Sequence, residues 1–128
     1  MMRYRRVGWF AMGVVLCVAC DNGRAHAGTL AVDLVAAGAN DGAIVLTISG
    51  GPVTAVHPPA GFQVASNANA TGTHVMVTGT IAAGTVAFID VPDISRASAY
   101  AVTVDQVADR ASFALLDPAP YRATVVPR

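Results

Sequence analysis

ISRASAYAVTVDQVADRASFAL, residues 94 to 115, fits two periods, and the choice between them decides the fold class. Ile94, Ala97, Ala101, Val104, Ala108, Ala111 and Leu115 fall at helical spacing, which would bury one stripe. Tyr100, Val102 and Val104 alternate with Ala101, Thr103 and Asp105, as a strand requires. Tyr, Val and Thr pack well on a pleated surface and lose rotamer freedom in a helix. The period of two is therefore preferred: one strand over 99–106, a second over about 111–115, with room for a helical turn between them.

The same period runs outward from this stretch. Residues 85–91, TVAFIDV, alternate until Pro92-Asp93 stops them. Residues 73–79, THVMVTG, set Val75 and Val77 against His74, Met76 and Thr78. Leu30, Val32 and Leu34 alternate with Thr29, Ala31 and Asp33. AIVLTIS at 43–49, VTAVH at 53–57, FQVAS at 62–66 and YRATVV at 121–126 complete the set. GANDG at 38–42, GGP at 50–52, PPAG at 58–61, NANATG at 67–72 and IAAG at 81–84 carry turn chemistry between them. Eight or nine short strands with turn signals about every 8 to 12 residues predict an all-β fold, a single antiparallel β-sandwich. Tyr100 is a candidate tyrosine corner, its hydroxyl tying back to nearby backbone, or a Tyr packed at a sheet edge.

The first residues have a different character. MMRYRR carries Arg3, Arg5 and Arg6 and no acid, and Val7 to Ala19 carries no charge at all. A basic start and a short apolar run have the layout of a secretory signal, whereas a spanning helix needs about 20 apolar residues. Val18-Ala19-Cys20 resembles the lipobox of bacterial lipoproteins. That resemblance implies cleavage after Ala19 and lipidation of Cys20. The chain departs from it at Cys17, where the pattern prefers Leu. Ala25-His26-Ala27 offers an alternative A-x-A cleavage after Ala27, and an uncleaved anchor is the third reading. The organisation expected is a lipoprotein signal peptide at 1–19, the lipidated Cys and a short tether at 20–28, and a β-sandwich domain at 29–127. Asp21 resembles the signal that retains some lipoproteins in the inner membrane. Cys17-Val-Ala-Cys20 lies in an apolar leader, away from any βαβ pattern, so it does not read as a redox pair.

Charge then separates function classes. The whole chain is formally neutral, but residues 20–128 hold five Arg, eight Asp, no Lys and no Glu, a net charge of about −3 at neutral pH. No basic patch is visible, and nucleic acid is not expected as a partner. His26, His57 and His74 are scattered and read as solvent-facing, so no metal site is expected. Asp41, Asp90 and Asp93 sit in or beside loops without a Ca²⁺-loop pattern and read as turn formers; Asp105 and Asp109 read as solvated, near Arg110. Ser49-Gly50-Gly51 is not a nucleophile elbow, and with no Glu a glycosidase would need two Asp facing each other across a cleft on a small sandwich. No catalytic residue and no cofactor are expected, and the ligand-binding residues stay unknown.

A wider resemblance covers most of residues 28–127. Asp41-Gly42-Ala43, Gly50-Gly51-Pro52, Val77-Thr78-Gly79, Ala83-Gly84, Val91-Pro92-Asp93, Tyr100, Gln106-Val107-Ala108 and Arg110 resemble short uncharacterised bacterial lipoproteins with a cohesin-like or immunoglobulin-like sandwich. The resemblance implies a fold and an envelope location and brings no catalytic residue. The function expected is a lipid-anchored, non-enzymatic interaction or structural module of the cell envelope, facing the periplasm or the exterior. Its partner would be the membrane through the lipid, with an envelope protein or a glycan as ligand. Strand edges or the loops at 38–42, 67–72 and 92–98 are the expected surface. The alternatives are a carbohydrate-binding module, which an exposed pair such as Phe62 with Tyr121 would favour, and a secreted soluble sandwich cleaved after Ala27. An enzyme comes third.

Overall fold

A computed structural model of the chain describes residues 24–35, 38 and 40–128. The leader, Cys17, Ala19 and Cys20 lie outside the described residues. Nine strands follow one another: β1 (Gly28–Leu34), β2 (Asp41–Ser49), β3 (Ala55–His57), β4 (Gln63–Asn69), β5 (Gly72–Ile81), β6 (Gly84–Val91), β7 (Ala101–Asp109), β8 (Leu115–Leu116) and β9 (Ala123–Pro127). A short 3-10 turn, Ile94–Ala99, precedes β7. The period of two wins in the disputed stretch, with the helical spacing confined to that turn.

Every pairing is antiparallel. The strands form one nine-stranded sheet in the order β3-β6-β1-β9-β7-β2-β5-β4, with β8 added to β7, and its halves β3-β6-β1-β9 and β7-β2-β5-β4 are the two layers of the sandwich. A bridge between Val102 and Ala123 joins β7 to β9, so the sandwich is nearly a closed sheet. The core lies between the two layers. Leu30, Val32 and Leu34 of β1 and Ile89 and Val91 of β6 meet Ile44, Leu46 and Ile48 of β2 and Val75 and Val77 of β5. These are the inward members of the alternating runs, as the pleat demands.

Several boundaries differ from the sequence reading. NANATG is not a loop throughout, because β4 continues to Asn69 and the hairpin turns at residues 70–71. β2 begins at Asp41, inside the expected 38–42 turn. Of the strand expected over 111–115, only Leu115–Leu116 pairs, because Asp109 organises a turn instead. Its N–H donates to the Ala114 carbonyl at 2.9 Å, its carbonyl accepts from the Phe113 N–H at 3.0 Å, and its carboxylate accepts from the Ala111 N–H at 2.8 Å. Gly50, at φ +96°, takes the left-handed turn conformation that suits glycine.

The cleft lined by His26, Gly50, Pro92 and Tyr100 and the short connection from Ile81 to Gly84 mark two ends of the sandwich. Gly28, Val91, Ser49, Ala101 and Gly72 lie at one end, here the base, where the segment at 24–27 enters. Leu34, Gly84, Asp41, Asp109 and Ile81 lie at the opposite end, the crown. Among the described residues no helix is long and apolar enough to cross a membrane.

Candidate functional site

The outer face of β4-β5-β2-β7-β8 is built in rows set by register. Gln63, Thr78, Ala43, Ala108 and Leu115 form the row nearest the crown. Ala65, Met76, Val45 and Gln106 form the next. Asn67, His74, Thr47 and Thr103 form the third, toward the base. The two crown-side rows are largely apolar and the third is polar. Phe113 stands beside the first row and walls a shallow 280 Å³ depression over Gly42, Ala43, Thr78 and Ala108.

Phe113 is 82% exposed and Leu115 71%, with Met76 also exposed. Phe113 holds φ +58°, a region that bulky residues rarely occupy. The turn thus places a strained, solvent-exposed aromatic beside an apolar, small-residue strip. Sequence reading put Phe113 and Leu115 in a strand and missed this; no local pattern foretells that Asp109 would close a turn there.

In the polar row, a register slip between Val45 and Leu46 in the pairing with β7 leaves Asp105 unopposed. Bulges re-aim side chains, and Asp105 accepts a hydrogen bond from the Thr47 hydroxyl. Thr47 Oγ1 also lies 3.0 Å from His74 Nδ1. A hydroxyl that donates to Asp105 leaves its lone pairs for an imidazole N–H. The order acid–hydroxyl–imidazole differs from a nucleophilic triad, in which the imidazole lies between hydroxyl and acid. This arrangement holds three side chains in a fixed polar row.

On the opposite sheet, His57 Nε2 lies 2.7 Å from Asp90 Oδ2, and Thr29 Oγ1 donates to Asp90 Oδ1 at 2.9 Å. The bond to His57, then that to Thr29, holds the Asp90 carboxyl below its ordinary range. Thr29 donates its hydrogen bond to the acid and not to the imidazole. The Arg128 guanidinium covers Phe88 at 4.4 Å from the ring centre. Among the described residues no three His, Cys, Asp or Glu side chains gather as metal ligands.

Two tyrosines act as clamps. Asp41, read from sequence as a turn former, is only 1% exposed. It accepts from the Tyr121 hydroxyl at 3.0 Å and from the Gly38 N–H at 2.6 Å. A register slip at Gly42 turns Asp41 inward alongside Ile44. Tyr100 donates to the Pro52 carbonyl at 2.7 Å, so its tie reaches across 48 residues to the 50–52 turn rather than to nearby backbone. Phe62 and Tyr121 are both half-buried against the core and do not form an exposed pair of rings.

Of the remaining sequence candidates, His26 and Ala27 are exposed before β1. Asp93 caps the 3-10 turn through Ser95 N and Oγ, bonds that hold its carboxyl below the ordinary range. Arg110 reaches Thr80 Oγ1 at 2.9 Å. No family model matches the chain, and neither a curated protein nor a solved structure shows significant similarity to it.

Proposed function

We propose that the chain is a lipid-anchored, non-enzymatic interaction module of the bacterial cell envelope. The observation that carries it is the apolar strip at the crown: Phe113, Leu115, Met76, Val45 and Ala43 on one outer sheet face, with Phe113 held in a strained conformation that leaves it in water. Strain without burial is a cost to folding that contact with something else would offset. The anchor half of the reading is supported by the basic and apolar leader and by Ala19-Cys20. The likeness to short cohesin-like lipoproteins points the same way. The strip replaces the loops at 38–42, 67–72 and 92–98 as the favoured partner surface.

Intact mass of the protein recovered from membranes, beside a Cys20→Ala variant, tests the anchor. A chain that starts at Cys20 with acyl groups attached, lost in the variant, is the expected result. A soluble chain starting at Gly28 overturns it in favour of secretion after Ala27. Phe113→Ser and Leu115→Ser test the interaction half: each should abolish co-purification of an envelope partner while leaving the melting temperature unchanged.

A further inference from the structure

We infer that the cleft at the base of the sandwich is a contact site for acidic phospholipid headgroups, with Arg24 and Arg96 taking the lipid phosphates. This rests on lipidation of Cys20. The cleft encloses about 630 Å³ and is lined by Arg24, His26, Gly51, Asp93 and Arg96, with Tyr100 beneath. Among the described residues neither Arg24 nor Arg96 has an ion-pair or hydrogen-bond partner. Asp93, the acid lining the cleft, accepts from the Ser95 N–H and hydroxyl through Oδ1 and feels the Arg96 charge without a hydrogen bond to it. Both guanidiniums keep their donors, in a fork that matches phosphate oxygens. Ile94 stands exposed on the same end, an apolar side chain beside the two cations.

Chain length settles which anion is near. The His26 carbonyl accepts from the Ile94 N–H at 2.8 Å, which pins the entering segment to the base. Six residue steps separate Cys20 from His26, and a fully extended chain spans at most about 3.3–3.6 Å per residue. An acylated Cys20 would keep the cleft within about 20 Å of the bilayer surface. At that range headgroup phosphates are the most concentrated anions available, and tethering makes the encounter intramolecular. Each Arg near an anionic surface shifts such an equilibrium about fivefold. Two give a shift of at most roughly 25-fold toward the seated state, reduced by the Asp93 charge in the same cleft, with the crown strip turned away from the membrane.

The test uses the full-length protein, processed in a bacterium and reconstituted into vesicles of phosphatidylcholine with or without phosphatidylglycerol. Ser98→Cys and Ser112→Cys each carry a fluorophore, one at the base and one at the crown; Ser98 is exposed in the same turn and leaves the Ser95–Asp93 bonds in place. Intact mass first establishes lipidation. Phosphatidylglycerol should shield the Ser98 label from acrylamide several-fold and leave the Ser112 label unchanged. Arg24→Gln with Arg96→Gln should remove that shielding, and Arg110→Gln with Arg122→Gln, the same loss of charge at the crown, should not. A lipidated protein whose Ser98 label is shielded equally in both vesicles, or equally in both double variants, overturns the contact and leaves the anchor standing. A chain starting at Gly28 lacks Arg24 altogether and overturns both.

Discussion

Replacing Tyr121 by Phe removes one oxygen and leaves the ring in place, so it isolates the bond to Asp41. The Asp41 carboxylate is 1% exposed and has two donors, the Tyr121 hydroxyl and the Gly38 N–H. Packing there is tight: a Cβ added at Gly38 would lie 2.8 Å from the Tyr121 oxygen. A hydrogen bond to a charged group contributes about 1.5–3 kcal/mol, and a buried acceptor left unpaired keeps its desolvation cost. The expected loss is about 2 kcal/mol, which lowers the melting temperature of a domain of this size by about 10 °C. Asp41→Asn should cost less, because its amide can donate to the Tyr121 oxygen while its carbonyl still accepts from Gly38. The double variant should lose less than the sum of the two. Burial, then the bond to Asp41, hold the Tyr121 phenol above its ordinary value of 10.0. A group raised in the folded state contributes its stability in full below pH 10 and loses it as pH rises through the folded value. The gap between wild type and Tyr121→Phe should therefore be constant near neutrality and narrow above pH 10, because only the wild type bears this loss. Thermal unfolding followed by circular dichroism reads all of this. A drop below about 3 °C at neutral pH would mean that Asp41 finds another donor, and the clamp would be wrong.

Two glycines at positive φ should behave differently. Gly50→Ala drives a Cβ into the Ala99 carbonyl oxygen and should destabilise by more than about 2 kcal/mol, whereas Gly61→Ala meets open space and should cost only about 1 kcal/mol; chemical denaturation separates them. His57→Ala removes the main bond that holds the Asp90 carboxyl low, so its titration, read by carbon NMR, should move up toward 3.8. In the wild type, the Asp90 contribution is present above that value and fades as pH falls through the lower folded value. Phe113→Gly relieves the φ +58° conformation with little loss of burial, so stability should stay within about 1 kcal/mol of wild type or rise. A clear loss in unfolding experiments would show that Phe113 packs, and would remove the crown strip's main support.

What sequence shows well here is period and punctuation. Alternation in 29–34, 43–49, 73–79 and 85–91 marks strands whose inward members form the core, because a half-buried sheet imposes that pattern directly. What it hides depends on register. The inward turn of Asp41 follows from a slip at Gly42, and its partner Tyr121 lies 80 residues away. The row Asp105–Thr47–His74 needs three strands in one alignment, and the bulge that exposes Asp105 leaves no mark in composition. The 111–115 misreading has a different origin. Phe113 and Leu115 look like strand residues by type, and the hydrogen bonds of Asp109 override that preference.

The chemistry of this sandwich is divided by its length. At the crown the chain spends a left-handed Phe113, an exposed Leu115 and a strip of small residues on surface that its own fold leaves bare. At the base, among the described residues, the Arg24 and Arg96 guanidiniums have no ion-pair or hydrogen-bond partner. The interior has no such surplus, because Asp41 and both clamping tyrosine hydroxyls are paired and no buried side-chain polar atom lacks a partner among the described residues. Groups left without protein partners at two opposite ends of an otherwise satisfied domain are what the proposed tethered module requires: one end to meet the surface that would hold it, the other to meet the partner it would hold.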